Sequence, residues 1–240
     1  MGNGPRRRRD ASHDSRASLF EGLIISRHPS PNEPLLLIRE LRASDFDDFV
    51  QTYYSFFPEA EADPSFGLTL FHKLPSLDDE RKWFSDVLKD IEAGNAVNSA
   101  AEVDSRVVGW CDVRRMRPDS PLDHRGALGL CIRKEFRGRG IGTALMKQNI
   151  DKCRGKFESI ELTVLANNLR AIRLYERFGF KRYGKLPRAV KRAGKYFDDE
   201  LMYLALGSFN SGTLQASPGG GSSGCWRREA APTRPPTRRG

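Results

Sequence analysis

The sequence predicts an α/β (α+β) fold, a mixed central sheet with element order βααβββαβαββ and disordered tails at both ends. Three observations predict it. Apolar residues recur at helical spacing in some segments and form short strand-like runs in others. These segments alternate along the chain and do not sort into separate blocks, which calls for helices around one central sheet. Both ends are polar, basic and rich in Pro, Gly or Ser, too poor in apolar surface to offset ordering entropy. The folded unit is read as residues 33–206, with 1–32 and 207–240 as tails.

Taken in order, "LLLIREL" (35–41) reads as a strand. "ASDFDDFVQTYYSFF" reads as a helix, with Ser44 as N-cap and Phe46, Phe49, Val50 and Tyr53 along one side. "PEAEADPSFG" is taken as an acidic, Pro-broken loop. "SLDDERKWFSDVLKDIEAG" has the marks of a second helix: Ser76 caps it, acids fill its first turn and Gly94 stops it. "AVNSAAEV" and "RVVGWCDVRRM" form a hairpin turning at Asp104 and Ser105. "GALGLCIRK" is an apolar strand, and a helix follows over about 139–154, with Ile141, Leu145, Met146, Ile150 and Cys153 inward. "SIELTVLA" is a strand. "NLRAIRLYERFG" is a helix with Ile172, Tyr175 and Phe178 on one face and Gly179 at its end. "FKRYGKL" and "KYFDDELMYLAL" close the unit as strands.

The chain has 240 residues and a net charge of +9. Residues 1–33 contribute +2 and 207–240 contribute +4, leaving +3 for the long middle. The folded part therefore lacks a nucleic-acid footprint. Cys111, Cys131, Cys153 and Cys225 show no paired spacing, which points to a reducing, cytoplasmic setting and to no metal. No apolar run reaches membrane-spanning length. "MGNGPRRRRDASHDSRASLF" reads as a tail and not a signal peptide, and Arg6 breaks the myristoylation pattern.

The stretch carrying chemistry is "KEFRGRGIGTALMK" (134–147), where a strand runs into clustered glycines and then a helix. Such a junction makes an anion site: unpaired N–H groups point outward, the helix dipole adds positive potential, and absent side chains allow close approach. Arg137 and Arg139 add charge. The Walker A pattern is excluded, because no GK[ST] follows the first glycine at the required distance. The dinucleotide fingerprint is excluded too, since Thr143 or Leu145 stands where its last Gly or Ala belongs.

Together, "LGLCIRKEFRGRGIGTALM" (128–146) and "LTVLANNLRAIRLYERFGF" (162–180) resemble the GNAT superfamily of acetyl-CoA-dependent N-acetyltransferases. Arg137, Gly140 and Gly142 match its [Q/R]xxGx[G/A] loop. Asn168, Ala171, Leu174, Tyr175, Gly179 and Phe180 match its NxxAxxLYxxxGF helix. "GKYFDDELMYL" resembles the closing strand of the ribosomal-protein and polyamine types. The resemblance implies acetyl-CoA as acetyl donor, its pyrophosphate on backbone N–H groups of Gly138, Arg139, Gly140, Ile141, Gly142 and Thr143. It implies that Leu130, Cys131 and Ile132 splay from their neighbour to pair with the pantetheine arm, that Asn168 bonds that arm, and that Tyr175 protonates the departing thiolate.

Acetyl transfer to an amine also needs an acceptor for the amine's proton. Glu161 is the candidate and Asp112 the alternative. Thr163 stands where the peptide N-terminal type often carries a Glu, so that type's mechanism is not expected. The acidic segment holding Glu59, Glu61 and Asp63 predicts a cationic acceptor, a small-molecule or peptide amine. The alternative class is a non-catalytic acetyl-CoA sensor or interaction module, which needs neither Tyr175 nor a proton acceptor.

Overall fold

The computed structural model describes residues 23–24 and 35–207; the rest of both predicted tails lies outside the described residues. The strands are β1 (Leu23–Ile24), β2 (Leu36–Arg39), β3 (Ala96–Val103), β4 (Arg106–Arg115), β5 (Arg125–Ile132), β6 (Ser159–Leu165), β7 (Lys181–Arg192) and β8 (Lys195–Ala205). The helices are α1 (Phe46–Tyr54), α2 (Phe56–Ala62), α3 (Leu77–Glu92), α4 (Ile141–Cys153) and α5 (Leu169–Arg177). The strands form one mixed sheet in the order β1-β2-β3-β4-β5-β6-β8-β7. Neighbours are antiparallel except β5 and β6, which run parallel.

Helices α4 and α5 cover one face. Ile141, Leu145, Met146, Ile150, Cys153, Ile172 and Tyr175 pack there on Cys111, Val113, Ile160, Leu162 and Val164. Helices α1 and α3 bring Phe46, Phe49, Phe84 and Val87 to the opposite face, against Ala100, Val107 and Trp110. Phe49 stacks on Trp110 with ring centroids 4.0 Å apart.

The seven expected strands and four expected helices are present, with their caps mostly as read. Ser76 Oγ accepts the Asp79 N–H (3.2 Å), and Gly94 follows α3 at φ 73°. Asp104 and Ser105 turn the hairpin with φ of 49° and 62°.

Three readings need correction. Asp45, not Ser44, organises the first helical start: its carboxylate accepts the Arg42 N–H (2.7 Å) and is forked by Arg39 (2.7 and 2.8 Å). The expected acidic loop begins as helix α2. Pro58 does not break it, because it sits in the first turn, where no intrahelical N–H donor is needed. β1 lies in the segment read as tail and pairs with β2 at the sheet edge. No described helix is long and apolar enough to cross a membrane.

Candidate active site

The site begins where two parallel strands part. β5 and β6 pair only at Arg125–Ser159, Gly126–Ile160 and Ala127–Glu161. Beyond that point β5 stays paired with β4 to Ile132, and β6 stays paired with β8 to Leu165. The two strands thus diverge into a wedge whose inner backbone groups are not used by the ladder between them. Buried backbone groups need partners, so the wedge suits a ligand that itself carries amides.

Along the wedge, Leu130 and Ile132 turn their side chains to the α4/α5 core, and Cys131 turns to the α1/α3 core. What these three residues offer the opening is backbone. The Cys111 and Cys131 thiols are pushed well up by burial and by Asp112, so neither supplies a thiolate.

The glycine loop lies at the wide end. Gly138 and Gly140 have φ of 84° and 83°, values that only glycine adopts without strain. A Cβ on Gly140 would meet nothing within 4 Å, so its surface faces open space. Gly142 serves packing: a Cβ there would lie 3.3 Å from Ile132 and 3.4 Å from Leu174, holding α4 close to β5 and α5. The first intrahelical bond of α4 is Ala144 N–H to Gly140 O (3.1 Å). The N–H groups of Ile141, Gly142 and Thr143 therefore precede the helical ladder.

The arginines behave differently from the expectation. The Arg137 guanidinium folds back, donating to Ile132 O (2.7 Å) and forking Glu59 on α2. It is spent on fixing the wedge's lip and is not a charge presented by the loop. Arg139 lies over the Phe136 ring at 5.4 Å. Arg170 of α5 comes within 3.2 Å of a Cβ position on Gly138 and supplies a cation beside the loop that the sequence pattern did not reveal.

Asn168 caps α5, its Oδ1 accepting the Ala171 N–H (3.2 Å). Its Nδ2 lies hard against Gly67, where an added Cβ would sit at 2.3 Å. Tyr175 is buried, with its ring 5.9 Å from Phe180. Burial, reinforced by Cys111 and Cys131, holds its phenol well above the usual range and thus protonated. The glycine loop thus lies against β5 and against α5, the helix that Asn168 caps and that carries Tyr175.

Glu161 lies farther down the strands, at the last paired position before the opening. It sits at the closed end, opposite Ala127, about 13 Å along the strands from the level of Cys131 at about 3.3 Å per residue. Arg125 engages its carboxylate in an ion pair, and Tyr183 donates to it at 3.4 Å. Asp112 lies beside the opened stretch of β5. It pairs with Gly129, and a Cβ there would lie 3.0 Å from Asp112 Oδ1, so the carboxylate lies across β5 beside the wedge. Burial raises its carboxyl, with Arg114 at 3.3 Å opposing.

A family profile described as Acetyltransferase (GNAT) family matches residues 47–180. The chain belongs to this family. It is a family of acyltransferases, and the same fold recurs in solved relatives. The ribosomal-protein-alanine N-acetyltransferase of Brucella melitensis superposes with a TM-score of 0.61 at 23% identity, over 71% of this chain and 99% of that one. A Salmonella typhimurium putative acetyltransferase, solved with its cofactor acetyl-CoA, superposes with a TM-score of 0.62 at 16% identity, over 75% and 98%. In sequence, the chain is 32% identical over 103 residues to the L-amino acid N-acetyltransferase AaaT of Escherichia coli K12, covering 42% of this chain and 62% of that protein. It is 31% identical over 152 residues to an uncharacterized N-acetyltransferase of Methanocaldococcus jannaschii, covering 60% of each. The chain thus spans about three fifths of the length of these two curated relatives. No cluster of three or more potential metal ligands occurs among the described residues.

Proposed function

We propose that the protein is an N-acetyltransferase that moves an acetyl group from acetyl-CoA to a primary amine in a ternary complex. The observation that carries this reading is the wedge between β5 and β6 opening beside a positive-φ glycine loop at a helix start. The donor supplies the acetyl group as a thioester. Backbone N–H groups along 138–143 would hold its pyrophosphate, the 130–132 backbone its amide-bearing arm, and Asn168 a further polar group on that arm. Tyr175, kept protonated by burial, delivers a proton to the leaving sulfur. Asp112, with its carboxyl raised by burial, receives the amine's proton directly or through water.

The acceptor is a small-molecule or peptide amine. Relatives span both kinds by name, from an L-amino acid enzyme to a spermine/spermidine N(1)-acetyltransferase and the ribosomal-protein-alanine enzyme. A cationic acceptor remains our reading with a smaller acidic field behind it, since the Arg137 cation offsets Glu59, while Asp63, bonded by Ser65 (2.7 and 2.8 Å), keeps its charge. A cytoplasmic setting accords with three free cysteines among the described residues. The test is thiol release from acetyl-CoA with L-amino acids, methionine sulfone, spermidine or free N-terminal peptides as acceptor. Release that depends on one of these amines, with an acetylated product, is the expected result. Acetyl-CoA binding without turnover on any amine would point to a sensor.

A further inference from the structure

The stretch after α2 has little hydrogen bonding of its own. Phe66 N–H bonds Asp63 O (2.9 Å), and Asp63 also accepts from Ser65. The carbonyls of alternate residues instead converge on one side chain. Arg192, at the end of β7, donates to Pro64 O (3.2 Å), Phe66 O (2.7 Å) and Leu68 O (2.7 Å). A guanidinium offers its donors in a fixed fork, so three acceptors on one fork fix the path of the strip and not merely its proximity. Arg192 is itself held by the β7–β8 turn through Ala193 and Gly194, with φ of 46° and 75°.

The strip so held joins both lips of the wedge. At the β5 lip, Arg137 donates a fork to Glu59 on α2 and also donates to Ile132 O. Phe66 is buried on Phe56 and lies under the Arg137 guanidinium, 5.6 Å from its ring centroid. At the β6 lip, Gly67, flanked by two clamped carbonyls, lies against the amide of Asn168. Residues 59–68 therefore bridge the wide end of the wedge, and Arg192 fastens that bridge from the hairpin.

Building on the function proposed above, we infer that Arg192 is a positioning residue. It holds the 64–68 strip as the wall that keeps water from the thioester while the amine is awaited. Closing a site against water suppresses hydrolysis of an activated group. If the wall loosens, a water oxygen can bond to the acetyl carbon, the C–S bond breaks, the sulfur takes a proton, and acetate and CoA leave. A role confined to stability predicts no such gain.

The experiment uses the full chain, with acetyl-CoA alone as probe and free thiol as readout, alongside CoA affinity by calorimetry. Arg192→Ala should raise amine-free thiol release about 10-fold or more, because the wall no longer excludes water. Its CoA affinity should stay within about threefold, since the donor contacts lie on the glycine loop and the wedge backbone. Arg192→Lys, which keeps a cation with three donors, should fall between parent and Ala. Gly67→Ala puts a methyl where the Asn168 amide lies, so strip and amide must part without Arg192 being touched; it should leak as well, so the inference stays testable if Arg192→Ala does not fold. Folded variants that bind CoA and leak no faster than the parent overturn this inference alone. A parent that binds no CoA overturns the function itself, and this inference with it.

Discussion

The two faces of the sheet are built on opposite plans. On the α4/α5 face, the proposed donor site comes from residues 128–180, a strand, a loop, a helix and one more strand–helix unit in order. Its contributions are largely backbone: glycines at positive φ, helix-start N–H groups and an unpaired strand edge. On the α1/α3 face, the side left for an acceptor in this reading is assembled from side chains far apart in sequence. Arg137 meets Glu59 across 78 positions, and Arg192 reaches Phe66 across 126. The donor is a fixed molecule, and a local motif can hold it. The proposed acceptor side is defined by which distant segments the fold brings over the wedge.

The sharpest way to break this comparison is at Gly140. Gly140→Glu forces a side chain into the positive-φ position and puts a carboxylate on the open face of the loop. Acetyl-CoA at 100 times its dissociation constant should stabilise the parent by about 2.7 kcal/mol and the variant by almost nothing, measured as a shift in Tm. The strain itself should cost about 1–2 kcal/mol in the unliganded protein. An equal ligand-induced shift in both proteins would show that the loop is not the anion seat.

A second test separates chemistry from packing on the donor face. Tyr175→Phe keeps the ring contact with Phe180 and removes the hydroxyl. Turnover should fall about 10²- to 10⁴-fold if the phenol is the general acid, with CoA affinity unchanged. Unaltered kcat would leave Tyr175 as a core residue. The raised phenol pKa also fixes a sign. The folded state holds this proton more tightly than the unfolded chain, so its stabilising contribution is whole below the unfolded value near 10. That contribution declines as pH rises above 10, and Tyr175→Phe should lose less stability there than the parent.

The smallest expected effects contrast the two acids considered as proton acceptors. Asp112→Asn should lower kcat about 10²-fold and abolish the acidic limb of the pH–rate profile, which in the parent lies above the ordinary aspartate value. Glu161→Gln should leave kcat within about twofold and cost about 1 kcal/mol or less of stability through its ion pair with Arg125. The reverse ranking would restore Glu161 as the proton acceptor and place the amine nearer the closed end of the strands.

Much of this was legible in the residues. The core faces of α4 and α5 follow from 3.6-residue periodicity, and Ile141, Leu145, Met146, Ile150 and Ile172 are buried as that spacing requires. The donor motifs could be read because they are contiguous, and their chemistry is carried by backbone conformation that glycine spacing announces. The fate of each charge was not legible. Arg137 looked like loop charge until Glu59 and the Ile132 carbonyl were brought beside it. Glu161 looked available until strand register placed it opposite Ala127 with Arg125 on its carboxylate.

The sequence by itself determined the order of elements, the inward faces of the helices and the glycine loop, because each depends on residues within a few turns of one another. Only the tertiary structure decided where β5 and β6 part, which acid lies beside the opening and which arginine fastens the strip across it. Those outcomes depend on pairing register and on long side chains meeting partners many tens of residues away. An ion pair or a strand register is a property of two segments at once, and no single stretch of chain encodes it.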